Sequence, residues 1–343
     1  MANTNKGLGA FLAALIEVIL SIFKPKPAPE PHPVIPPDNT TEPARMVTAR
    51  ILLIVYDPIM NPSSGERLSH TMHWKRVDDL IAGFTEDIYG VSKGLARYQI
   101  VERIEMLEFP SLEDGFRYNP DTYMAVMRGG RPHEPQGVDY HAILTGFNVL
   151  ERVASREIDE VWVFGFPYAG FYESIMAGKD AFWCNAPPLS KASSCDRRFV
   201  IMGFSFERGV GEMLEAFGHR AESILEKTFL RTQGDANLYK RFTRYDQKHP
   251  GQAEVGTIHF APNSEKDYDW NNHRMVPSRC DDWFNFPKFQ DVTKDVNSSA
   301  WGNGDMRLHH KWWLNHLPKV AGRTSGVANN WWQYVMDPNL VIL

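Results

Sequence analysis

Residues 49–56, ARILLIVY, form an unbroken apolar run that Asp57-Pro58 closes. A run without polar alternation reads as a strand buried on both faces, and the Asp-Pro pair ends it. A strand covered on both sides needs helices above and below it, and the flanking sequence supplies them. Residues 76–89 carry Val77, Leu80, Ile81, Phe84 and Ile88 at helical spacing, and residues 98–106 (YQIVERIEM) alternate as a second strand. Residues 140–154 place Ile143, Leu144, Phe147 and Leu150 on one helical face, and 207–229 is the longest helix. Residues 160–166 (EVWVFGF) and 198–204 (RFVIMGF) complete the strands. This alternation predicts an α/β fold, a mostly parallel sheet flanked by helices, with ligands beyond the C-terminal strand ends. From about residue 235 the chain turns irregular and holds seven of its ten tryptophans among Asp, Asn, His and Pro, which predicts a loop-rich C-terminal part.

The chain has 343 residues, 43% of them apolar and 23% charged, enough to bury a large core. Beyond residue 45 no linker-like run divides it, so residues 46–343 read as a single globular domain. A net charge of −5 with scattered Lys and Arg excludes nucleic acid as a partner. Within residues 1–23, the apolar stretch 7–23 (GLGAFLAALIEVILSIF) has basic residues on both sides and reads as a signal, an anchor or a docking helix. Glu17 makes full insertion costly, and no small-x-small cleavage site precedes the prolines. Residues 24–45 are a proline-rich spacer, which implies something at both ends: the domain, and a membrane or partner contacted through 7–23. Export or surface anchoring is the expectation. Of three cysteines, Cys184 and Cys195 bracket a Pro/Ser loop that a disulfide would close in an oxidising compartment; three buried thiols is the equal alternative.

Three stretches carry chemistry. After the strand at 160–166, the turn GFPYAGFYE would aim Tyr168, Tyr172 and Glu173 at a ligand crevice, or would be an ordinary aromatic turn. On the long helix, Glu212, Glu215, His219, Glu222 and Glu226 share one stripe. Glu215 and His219 stand one turn apart, the spacing at which a carboxylate and an imidazole share a metal ion or a proton; a solvated acidic face is the alternative. The third stretch holds His259, Asp267, Asp269, Trp270, Asp282, Trp283, His309, Trp312 and His316. On a helix His309 and His316 would lie about 10 Å apart, too far to share an ion, so a metal site needs ligands from separate segments, such as Glu215 and His219 with His259. Aromatic rings beside Asp and Asn suit a sugar surface as well as a loop-rich core.

The segments FGFPYAGFYESIMAG (164–178), GVGEMLEAFGHRAESIL (209–225), HFAPNSEKDYDW (259–270) and NNWWQYVMDP (329–338) resemble an uncharacterised domain of large bacterial extracellular proteins. The resemblance covers nearly all of residues 48–338, carries no assigned activity and implies an extracellular setting. The residues then lead to a secreted or surface-anchored hydrolase acting on a glycan or another extracellular polymer. Acid and base work would fall to Glu207, Glu212 or Glu215 with His219, and Tyr168, Tyr172, Glu173, Asp269, Trp270, Asp282, Trp283 and Trp312 would line the substrate. The alternatives are a metal-dependent, peptidase-like hydrolase with a divalent ion such as zinc on Glu215, His219 and His259, and a non-catalytic glycan-binding or cell-surface module.

Overall fold

The run at 49–56 is the heart of strand β1 (Val47–Tyr56), which is buried throughout from Ile51 to its end. A computed structural model describes residues 37–343. The segment 7–23, with its expected signal, anchor or docking role, and the spacer up to residue 36 lie outside the described residues. Helix α1 (Val77–Val91) leads from β1 to β2 (Ala96–Met106), an edge strand whose partial exposure explains its alternating sequence. The stretch 140–154 is two helices, α2 (Tyr140–Gly146) and α3 (Val149–Ala154), because Asn148 adopts the left-handed conformation at φ 52° between them. Strand β3 (Glu160–Gly165) follows, then β4 (Ser174–Ala177), β5 (Phe199–Ser205) and the long helix α4 (Val210–Thr228).

The five strands lie in the order β2-β1-β3-β5-β4. Pairs β1/β2, β1/β3 and β3/β5 are parallel, and β4 runs antiparallel to β5 at the far edge. The α/β class and mostly parallel sheet follow as expected. The short β4, absent from the sequence reading, pairs all four of its residues with β5. Its apolar run is too brief to display a period.

One sheet face packs on α1, α4 and the C-terminal part; the other packs on the helices between residues 120 and 154. Cys184 and Cys195 belong to these opposite cores, and all three thiols are free and buried. The bracketed loop is therefore not closed by a disulfide in this structure.

The C-terminal part is loop-rich between residues 243 and 305, as its composition predicts, and regular elements follow. Helix α5 (Met306–His316) packs on α4 and α1, and a hairpin of β6 (Lys319–Thr324) and β7 (Val327–Asn330) leads to α6 (Trp332–Met336). All its tryptophans but the partly buried Trp312 are core: Trp283, Trp313 and Trp331 ring Phe242 at centroid distances of 5.0, 5.7 and 5.6 Å. A chain with few long elements fills its interior with large rings whose N–H groups bond nearby backbone and carboxylates. The spacer's last residues also join the fold. Glu42 takes a two-pronged bond from Arg323 at 2.9 and 2.8 Å, and Asn330 donates to the Arg45 carbonyl at 2.7 Å, so the folded unit includes these residues ahead of β1.

A buried ion pair ties these layers together. The Arg220 guanidinium on α4 meets Glu160 of β3 at 2.6 Å and donates to the Val335 carbonyl of α6 at 3.1 Å, while Trp162 donates to the same Glu160 oxygen at 2.7 Å. No helix among the described residues is long and apolar enough to cross a membrane.

Candidate metal centre

Helix α4 begins where β5 ends, and Glu212 fixes its start by accepting the Gly209 N–H at 2.8 Å. Glu215 and His219 follow on the stripe that turns away from the sheet. Over this stripe lies the strap 257–268. It can approach closely because Gly218 has no side chain: a Cβ there would stand 2.5 Å from the Ile258 side chain. The Ile258 N–H also donates to Glu222 at 2.9 Å, which anchors the strap to the helix.

This docking places His259 beside Glu215 at 2.9 Å through Nε2, with Nδ1 3.0 Å from Asp267. His219 points its Nε2 toward the same Glu215 oxygen at 4.0 Å and holds Glu222 with Nδ1 at 3.2 Å. The donor atoms of Glu215, His219 and His259 all lie within 4.8 Å of one another. Tyr268 adds its hydroxyl, which donates to Glu215 at 3.0 Å. The solvated acidic face is thus overturned at Glu215, which is 5% exposed.

The electrostatics follow from these contacts. Burial alone would raise the Glu215 carboxyl, but hydrogen bonds from His259 and Tyr268 outweigh it and hold its pKa below the usual value. For His219 burial opposes the charged form, yet the Glu222 hydrogen bond and the fields of Glu222, Glu173 and Glu215 raise its pKa. Burial, then the bond to Glu215, pushes Tyr268 up to about 12, so it keeps its proton at neutral pH. Two imidazoles, each with one nitrogen on a carboxylate and the other facing a shared carboxylate, match the way histidines are oriented on a divalent ion, where the nitrogen away from the metal is held by a carboxylate or carbonyl. A Glu with two His is also a known zinc donor set that leaves a position open.

The other expected residues separate. Glu207 is exposed in the turn after β5, and Glu212 is committed to the helix start, so the three glutamates do not share one acid–base site. Tyr168 and Glu173 line a cavity of about 350 Å³ at the C-terminal ends of β3 and β5, together with Glu207 and Arg208. Gly170 makes that turn possible; at φ 84° a Cβ would stand 2.2 Å from the Gln136 carbonyl. Tyr172 is 48% exposed beside it, with its N–H bonded to the Tyr140 hydroxyl. Trp270 and Trp283 are 4% and 2% exposed and offer no face to a polymer, which overturns their expected role. Asp282 is fully buried and accepts from the Gln290 and Asp291 N–H groups, and Asp269 accepts from Glu265 N–H and Asn272; both organise loops. Trp312 leans on Trp301 and His316 at 5.2 and 4.4 Å instead of facing a groove.

Tyr268 and the orienting roles of Asp267 and Glu222 were not read from the sequence. The only local hint is the crowding of His259, Asp267 and Tyr268 within one strap. No family model, curated protein or solved structure matches the chain.

Proposed function

We propose that this protein is a metal-dependent hydrolase whose ion is held by Glu215, His219 and His259. One observation carries the reading: both imidazole Nε2 atoms face the Glu215 carboxylate while both Nδ1 atoms rest on carboxylates of their own. That arrangement favours it over a pair of glycosidase carboxylates, which would need two acidic groups flanking one open cleft. An ion held there would supply Lewis acidity, lowering the pKa of a bound water and polarising a carbonyl or similar group.

The chain's own groups divide the rest. Asp267 and Glu222 fix the ring orientations of His259 and His219. Tyr268, still protonated and half exposed, donates its one hydroxyl hydrogen to Glu215 and so holds that carboxylate in place. His219 and His259 open onto a shallow cavity of about 390 Å³, with Lys240 and Lys248 on its wall. Polar, acyl-bearing polymers such as peptides and esterified glycans suit that wall. The exported or surface-anchored setting is part of the same proposal and rests on the resemblance and on segment 7–23.

Metal analysis of the full chain after zinc equilibration tests it. His219→Ala and Glu215→Gln are each expected to bind about one equivalent less than the parent, and chelation is expected to abolish hydrolysis of peptide, ester and polysaccharide panels until metal is restored. Unchanged stoichiometry in both variants would sink the proposal.

A further inference from the structure

A second convergence of donor groups lies where the turn Cys280–Asn285 meets the C-terminal end of α5. Cys280 Sγ, an Asp281 carboxylate oxygen and a His316 ring nitrogen all lie within 4.8 Å of one another. Cys280 and His316 are 1% and 2% exposed. The His316 Nδ1 sits 2.7 Å from the Trp312 carbonyl oxygen, so it must carry the ring's hydrogen and donate it. The opposite nitrogen, Nε2, then presents a bare lone pair, and among the described residues it has no hydrogen-bond partner.

What faces that lone pair is another acceptor. Asp281 Oδ1 stands 3.9 Å away, too far for a hydrogen bond, and the Cys280 sulfur is 3.7 Å from the same oxygen. The second carboxylate oxygen is taken by Lys294 at 2.9 Å, which leaves Oδ1 to face inward. Cys280 is held in place through its own N–H, which donates to Ser278 at 3.1 Å. Two acceptors and a thiol converge, with only the S–H to serve them. In a tetrahedral zinc site, donors are about 3.3–3.8 Å apart, as bond lengths near 2.0–2.3 Å require, and the two measured spacings are close to this.

We propose that Cys280, Asp281 and His316 form a second, sulfur-containing site for a transition-metal ion such as zinc, pinning the end of α5 to the 280–285 turn. The thiolate selects a soft or borderline ion over magnesium or calcium. The Trp312 carbonyl is the orienting partner of the histidine, as imidazole ligands normally have. Burial of Cys280 and His316 keeps substrates away, so the role is structural; the same burial excludes a cysteine nucleophile. Asp281, whose side chain is 42% exposed, is the solvent-facing member of the set. This inference is independent of the Glu215 centre, which contains no sulfur.

Cobalt(II) distinguishes the two sites, because only a thiolate ligand produces an intense near-ultraviolet charge-transfer band. The full chain, stripped with chelator and titrated with cobalt(II), is expected to develop that band saturably. Cys280→Ala should lose it and keep the visible bands of the Glu215 centre, whereas His219→Ala should do the reverse. Absence of the band from the parent, or its persistence in Cys280→Ala, overturns the proposal. Should Cys280→Ala not fold, Asp281→Asn at the partly exposed position must weaken cobalt binding, read at the band, by about tenfold or more. Unchanged affinity there also overturns it. Visible bands insensitive to His219→Ala, with the near-ultraviolet band intact, would count against the Glu215 centre alone.

Discussion

At the scale of single residues, burial decides which side chains are scaffold and which are chemistry. Trp283 donates its indole N–H to Glu254 at 2.9 Å, and Glu254 is itself 1% exposed and paired with Arg241. Trp283→Phe keeps most of the packing and removes that donor, so we expect a loss of about 1–3 kcal/mol in urea unfolding, against about 3–5 kcal/mol for Trp283→Ala. Metal binding at the Glu215 centre should be little changed in the phenylalanine variant. Two buried histidines set the acid limit. Burial pushes His310 down to about 4, and it lowers His309 as well. In the unfolded chain both take up protons near their ordinary pKa, so stability is complete above about pH 6.5 and lost as pH falls toward 4. His310 alone removes about 1.5 kcal/mol between pH 6.5 and 5, measurable as a fall in the urea midpoint. His219, with its raised pKa, works the other way and contributes stability that fades as pH rises through its folded value.

At the scale of elements, the centre exists because a strap lies flat on a helix. Gly218 lets Ile258 approach α4, and Ile258 precedes the ligand His259 in the chain. Gly218→Ala would normally favour a helix interior, yet its Cβ would meet the Ile258 side chain at 2.5 Å, within reach of the branch point as well as the tip. The expected outcome is a loss of about 1–3 kcal/mol and weaker zinc binding, seen together in unfolding and in competition with a chelator. Restored binding in Gly218→Ala combined with Ile258→Ala would place the cause in that contact. Removing the carboxylate with Glu212→Ala should cost about 0.5–2 kcal/mol through the freed Gly209 N–H without altering metal stoichiometry, which separates capping from catalysis.

At the scale of the whole molecule, polar links join the sheet, the helices and the C-terminal part: Arg198 beside β5 reaches the Val341 carbonyl, and Arg307 and Lys311 of α5 meet Asp87 of α1. Arg220 spans β3, α4 and α6, so Arg220→Met, which leaves Glu160 buried without its partner, should cost about 3–5 kcal/mol by denaturant melt. Residues 38–45 hold the β6–β7 hairpin through Asp38, Asn39, Glu42 and Arg45. A chain beginning at residue 46 is therefore expected to melt at a lower temperature than one beginning at 37. Equal melting temperatures would return those residues to the linker.

The order of strands and helices was legible because a strand buried on both faces must be apolar throughout, and an amphipathic helix must repeat its apolar residues with the turn. ARILLIVY and the stripe on α4 obey those rules locally, and they determined the α/β class without reference to any distant residue. The pairing of Glu215 and His219 was legible for the same reason, since one turn of helix brings them together. His259 was expected beside that pair from its residue type, but only tertiary structure decided how it gets there. It arrives with Asp267 and Tyr268 on an irregular strap with no period to read, and their positions depend on space left by Gly218. It also decided the fate of the tryptophans, because composition records a large ring but not which side of it meets water.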